Sequence, residues 1–326
     1  SSSQWIGGLF FLIFLVLIFS NFKNKYKLTH LIFNPDKASN LYKEIKPIII
    51  KVFFLYLLLS LLIFILFTFS GIRLFNGFNL AMTVSSNSAF LPTNELNDII
   101  RSNPQKVILF LSLFFSTISI YFLYSLFNKS LIKRHYEDFF ILLGIIFFSA
   151  IIYLSLKNVE ILDIFISVTS SISSSGISTY KPPENFHLFY IFLAIIGGSI
   201  LSNSSGIKFI RIYILLKSTI LEIFRLVSPN IIIDQRILKT DNKINNQIIT
   251  SSFLIFISFF ISLFILSSIL TTGNLNFEKS FKLSILTLTN TVNSDLYGLK
   301  NIDFNNLLAT SKIAIILFMI IGKIEL

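Results

Sequence analysis

Long apolar stretches, every second one followed by a cluster of lysine or arginine, constrain this chain more than any other feature. Apolar runs lie at about residues 4–19, 48–70, 107–127, 139–156, 186–216, 248–270 and from 311 onward. The hydrocarbon core of a bilayer is about 30 Å thick and takes roughly 20 helical residues to cross. Several of these runs reach that length. Only 13% of the residues are charged, against about 25% in soluble domains, so a water-soluble globule would lack the polar surface to cover itself. The class this predicts is an all-α membrane protein.

The charges fall mostly between the runs. Lys23, Lys25, Lys27, Lys37, Lys43 and Lys46 follow the first, Lys129, Lys133 and Arg134 the third, and a basic stretch of Lys208, Arg211, Lys217, Arg225 and Arg236 begins at the end of the fifth. Excess Lys and Arg marks cytoplasmic loops, and such loops also meet anionic lipid. The net charge of +11 therefore points to the lipid bilayer as partner and away from nucleic acid. Lys208 and Arg211 read as interfacial anchors. Cysteine is absent, which excludes disulfides, thiol chemistry and Cys-based metal sites. His30, His135 and His187 are scattered between runs and propose no metal site. No nucleophile–base pair or phosphate loop appears, so an enzyme is not expected.

Between paired runs lie three short segments, at 77–91, 162–179 and 277–294, too short and too polar to cross. The unit is span, short segment, span, basic loop; it occurs three times, and the chain opens on the tail of a fourth. The basic loops then fall on the cytoplasmic side and the short segments on the outer side. Each segment begins as a plausible helix and ends in a polar run: Val84 to Phe90, Ser173 to Thr179, and Thr289 to Asp295. Non-helical backbone at membrane depth is tolerated where it is buried in protein or lines a water-filled cavity. Rings of backbone carbonyls can replace a cation's hydration shell, and a half-helix points its partly negative C-terminus at the same place. Taken singly, each segment reads more readily as an external loop; three in register favour a pore. Glu160 and Asp163, near the mouth of the second segment, read as solvated loop residues. The fifth run is interrupted by Gly197-Gly198 and by Ser202 to Gly206.

At these residues the chain resembles the Trk/Ktr/HKT superfamily of cation transporters, and within it the bacterial Trk-type potassium uptake membrane subunit. Gln4-Trp5-Ile6-Gly7-Gly8-Leu9 is similar to the family's opening of the first repeat's second span. Ser173 to Thr179 resembles its T-T-T-G-F-[AS]-T filter loop, and the stretch from Gly197 to Lys208 matches G-G-C-A-G-S-T-A-G-G-M-K without a gap. Arg211, Ser228-Pro229-Asn230 and Ile321-Gly322-Lys323-Ile324-Glu325 fall on later landmarks in the same order.

The resemblance implies repeated M1–P-loop–M2 units around a central pore. Residues 1–47 would hold the second span of repeat one with its cytoplasmic loop, 48–138 repeat two, 139–247 repeat three, and 248–326 repeat four. It implies that the first M1–P unit is missing and that the last M2 is truncated, as in a fragment. A filter built from Asn87, Ser88, Ser174, Ser175, Gly176, Val292 and Asn293 is implied. So is a gate built from Gly198, Ser202, Asn203, Ser204, Ser205, Gly206 and Lys323. Ser88 and Asn293 would stand where the family has Gly. The implied function is potassium uptake through a gated pore; the alternatives are a sodium-preferring member, or a non-conducting fragment or remnant. No cofactor is implied beyond the transported cation. The implied partners are a second copy in a homodimer and a cytoplasmic nucleotide-binding regulatory ring. The implied place is the bacterial plasma (inner) membrane, basic loops cytoplasmic. A carrier of inverted repeats fits less well, because these units run in the same direction.

Overall fold

The computed structural model describes residues 1–23, 35–89, 91, 96–120, 122, 136–156, 159–227, 236–238, 244–273, 275–291, 295–299, 304 and 307–324. Among them the chain forms eleven α-helices. A first helix, α1 (Ser2–Lys23), precedes three units. The first unit is α2 (Pro35–Phe69), α3 (Leu74–Ser85) and α4 (Asn103–Thr117). The second is α5 (Tyr136–Ser155), α6 (Ile161–Ile172), α7 (Glu184–Ile196) and α8 (Phe209–Val227). The third is α9 (Asn246–Thr272), α10 (Phe277–Leu288) and α11 (Ala309–Ile324).

Helices within α2, α5 and α9 are long and apolar enough to cross a membrane: Ile49–Phe69, Tyr136–Ser155 and Asn246–Thr272. Inside a bilayer, helices satisfy every backbone polar group locally, which is why these runs fold this way. Their outward faces carry Phe54, Phe147, Leu154 and Phe264, all well exposed; in a bilayer that surface meets lipid rather than water.

The short helices α3, α6 and α10 are the wrapped elements. α3 packs on α1, α2 and α4; α6 on α4, α5 and α7; α10 on α7, α9 and α11. Successive units touch through α4 against α6, and through α8 against α9 and α7 against α10. Two apolar clusters follow this plan. Ile63, Phe67, Leu80, Val84, Leu109 and Leu113 centre the first unit, and Ile166 and Ile177 from the second unit insert into it. A larger cluster joins α5–α7 to α9–α11.

Two of the expected spans are broken. The fifth stops at Ile196 and resumes at Phe209, as its run of glycine and serine predicts. The break in the third is not foreseen by the sequence pattern: inside the apolar run at 107–127 the helix α4 stops at Thr117, and Ile118 is extended with ψ 152°. The freed backbone groups find partners elsewhere. Thr117 O accepts from Ser199 N (3.1 Å) and Leu201 O accepts from Ile120 N (3.1 Å). Ser119 N donates to the buried Asp138 carboxylate (2.9 Å), and Ile200 N donates to Glu137 Oε1 (3.0 Å). The two breaks thus pair with each other, and the acids that open α5 cap both.

Candidate ion-conducting site

The three short helices end in the same way, atom for atom. In the first, Asn87 N donates to Val84 O and Ser88 N to Thr83 O. In the second, Ser174 N donates to Ser171 O and Ser175 N to Ser170 O. In the third, Asn290 N donates to Thr287 O and Thr291 N to Leu286 O. This 5→2 and 6→1 pairing is the Schellman motif, which places a left-handed residue just past the helix end. That residue is Asn87 (φ 50°), Ser174 (φ 60°) or Asn290 (φ 55°). Left-handed backbone disfavours residues other than Gly, Asn and Asp by roughly 1–2 kcal/mol. Two of the three positions use Asn; the third uses Ser. The hydroxyls flanking each left-handed residue also bond each other: Ser86 to Ser88 at 3.2 Å, Ser173 to Ser175 at 2.8 Å and Thr289 to Thr291 at 2.8 Å.

Each left-handed side chain then ties its helix end to the span that follows. Asn87 Nδ2 donates to Ser116 O (3.2 Å), Ser174 Oγ to Ser205 O (3.2 Å) and Asn290 Nδ2 to Met319 O (3.2 Å). Replacing Asn87 with Ala should therefore cost about 2 kcal/mol, summing lost left-handed tolerance and a lost hydrogen bond. Thermal melting in detergent checks this, and Asn87→Gly should recover the backbone part.

The segment 197–208 is the hub of the site. Asn203 Nδ2 donates to Ser85 O at the end of α3 (3.0 Å). Ser205 N donates to Ser174 Oγ at the end of α6 (3.2 Å). Ser205 Oγ accepts from Asn290 Nδ2 at the end of α10 (3.3 Å). One stretch of non-helical backbone thus touches all three helix ends. Lys323 on α11 donates to Asn203 O and lies over the Phe11 ring, 5.0 Å from its centroid. Gly198, Ser202, Asn203, Ser204, Ser205 and Gly206 are all in this segment, so the residues expected at the gate are brought together. Asn87, Ser88, Ser174, Ser175 and Gly176 follow the ends of α3 and α6. Val292 and Asn293 lie outside the described residues.

The cap geometry sets the register between loops. Ser88, Ser175 and Thr291 are equivalent, so the residue in line with Gly176 (φ 66°) is Ala89 in the first loop. The sequence expectation that Ser88 holds that place is shifted by one residue.

Three contributors were missed or misread in the sequence. Asn290 is one cap of the triplet and was not singled out. Lys208 is no interfacial anchor: it is fully buried, and its ammonium donates to Ser202 O at 3.3 Å, to Ser204 O and to Ser204 Oγ at 3.1 Å. Asp163 is not a solvated loop residue: it is 8% exposed and paired with Lys106 at 2.8 Å.

A cleft of about 600 Å³ runs past these loops, with Gln4, Gly7 and Gly8 of α1, Ser86 to Ala89, Asn290, and Met319 and Lys323 of α11 in its wall. Two amide oxygens of that wall, Gln4 Oε1 and Asn87 Oδ1, are buried with no hydrogen-bond partner among the described residues. Unpartnered buried oxygens are costly and are the donor type that hard cations take.

Fold and site together define an integral membrane protein of repeated span–re-entrant-helix–span units gathered about a broken span. No protein-family model matches the chain. An uncharacterized cation transporter of Methanocaldococcus jannaschii is 25% identical over 343 residues, which take in 100% of this chain and 67% of that protein. The crystal structure of the potassium transporter TrkH from Vibrio parahaemolyticus is similar at a TM-score of 0.83 and 17% identity, over 99% of this chain and 68% of that one. The fold is that of a Trk-type potassium transporter.

Proposed function

We propose that this protein carries potassium across the membrane through a gated pore whose filter is made of backbone carbonyls. The observation that supports it most is the triplet of identical helix caps joined through Asn203 and Ser205 of one broken span. Three helix C-termini bring their partly negative ends to one place, and the extended backbone beyond them offers carbonyls to a dehydrated cation. The similarity to a protein named as a cation transporter and to the fold of TrkH supports the same reading. Growth of bacteria stripped of their own potassium uptake, on limiting potassium, tests it. Expression should restore growth, and failure by protein that reaches the membrane would sink the proposal.

A sodium-preferring pore is the second reading, favoured by Ala89 in line with Gly176. Excess sodium should leave rubidium uptake untouched under the first reading and suppress it under the second.

In this account the segment 197–208 is the gate, and Lys323 helps hold it shut through Asn203 O. Lys323→Met should leave the fold intact and raise rubidium flux about tenfold, roughly the worth of one charge-assisted hydrogen bond. A flux unchanged or lowered would remove Lys323 from the gate. We further propose a homodimer with a cytoplasmic nucleotide-binding ring, in the plasma membrane with basic loops inside. Cross-linking in native membranes and co-purification of the ring test these.

A further inference from the structure

At the outer mouth, three pieces of chain from two units meet on one carboxylate. Asp163 is in the first turn of α6. Its Oδ1 lies 2.8 Å from the Lys106 ammonium of α4 and accepts the Thr179 hydroxyl at 2.6 Å. Lys106 also reaches Glu160 Oε2 at 2.7 Å, so the ammonium bridges both acids at the start of α6. Thr179 is three residues beyond Gly176, on the chain leaving the second loop.

Along that outgoing stretch burial alternates from residue to residue, as it does along a strand. Ser175, Ile177 and Thr179 are buried, while Gly176, Ser178 and Tyr180 are half-buried on the other side. Each buried side chain has a fixed seat. Ser175 Oγ bonds Ser173 Oγ at 2.8 Å. Ile177 enters the apolar cluster of the first unit. Thr179 is held by Asp163. The exit of the loop is thereby pinned to its own helix and, through Lys106, to the neighbouring unit.

We infer that Asp163, Thr179 and Lys106 are positioning residues that fix the spacing of the carbonyls around Gly176 and so set which cation passes. This rests on the pore reading above. A carbonyl cage discriminates between ions by the number, field and placement of its oxygens, and a free exit strand would relax that placement. The buried hydroxyl–carboxylate bond is charge-assisted and short, the strong kind.

The test is rubidium and sodium uptake in proteoliposomes by the unaltered protein and by Asp163→Asn, Thr179→Val, Lys106→Met and Lys106→Arg. Asp163→Asn, Thr179→Val and Lys106→Met should each keep conducting while the rubidium-to-sodium ratio falls about tenfold, the scale of one charge-assisted bond. Lys106→Arg should retain the ratio, since it still pairs with both acids. A purely structural clamp would lower both fluxes and the melting temperature together and leave the ratio alone, which overturns the inference. Where Asp163→Asn fails to insert, Thr179→Val decides, because it removes one hydroxyl at constant volume; an unchanged ratio, or failure of that variant to insert, counts against the inference. If the unaltered protein passes neither ion, the pore reading falls and takes this inference with it.

Discussion

A Gly197→Ala protein should lose rubidium uptake and most of its folded stability. Gly197 has φ 69°, where a side chain costs roughly 1–2 kcal/mol. A Cβ there would lie 2.4 Å from Ser205 O, a backbone atom with no rotamer to escape into. Its opposite number is equally confined: Gly206 (φ 92°) would bring a Cβ to 2.7 Å of Ala194 O and 2.8 Å of Ile195 O. The two glycines let the chain double back so that Ile207 N reaches Ile195 O (2.9 Å) and Phe209 N reaches Gly198 O (3.2 Å). Strain and overlap together should exceed about 4 kcal/mol, the range reserved for disrupted backbone and cores. Melting of the detergent-solubilised protein, with rubidium uptake alongside, reads both losses. A variant that melts and transports like the unaltered protein would mean that the two halves of the broken span are not packed this closely.

The second large effect is at Lys208. Its ammonium is buried among Ser202 O and Ser204 O, carbonyls that the broken helix leaves without intrahelical donors, and the Ser204 hydroxyl. Lys208→Met keeps the length of the side chain and removes the donor. Leaving buried carbonyls without a donor costs about 1–3 kcal/mol each, because the stranded oxygens have no water to turn to. The variant should be poorly inserted, with little uptake. Lys208→Arg should rescue it only in part, since a planar guanidinium does not fit a site shaped for a compact ammonium. The contrast with Lys323→Met separates structure from gating: both lysines donate to the same segment, yet loss of Lys208 should unfold it and loss of Lys323 should free it.

Much of this arrangement is legible in the chain itself. Charge-free runs and basic loops mark the spans, and the three polar endings mark the short helices. The run Gly197-Gly198 with Ser202 to Gly206 marks a break, because small and polar residues stabilise an unwound backbone where apolar ones do not. The break at Ile118 is different. Ser116, Thr117 and Ser119 hint at it, but a serine in a span ordinarily bonds back to its own helix. What ends α4 is the set of partners waiting at Asp138, Ser199 and Leu201, which are far away in sequence.

Lys208 and Asp163 were misread for one reason. A lysine after an apolar run looks like a snorkel, and an acid before a short helix looks like a solvated cap. Only packing shows that Ser202 and Ser204 surround the first, and that Lys106 and Thr179 enclose the second. The shift from Ser88 to Ala89 arises because a polar run admits several registers until hydrogen bonds to Thr83 and Val84 choose one.

The central claim is that cations pass through the loop that contains Gly176. Rubidium flux into proteoliposomes, measured for the unaltered protein and for Gly176→Val, tests it most directly. Gly176 has φ 66°, where a β-branched residue is strongly disfavoured, so the substitution deforms the loop at the place where its carbonyls would meet the ion. The account predicts saturable uptake by the unaltered protein and its loss, or a collapse of rubidium preference, in a variant still inserted in the membrane. Equal flux and equal preference from both proteins, or no flux from well-folded unaltered protein, would contradict it.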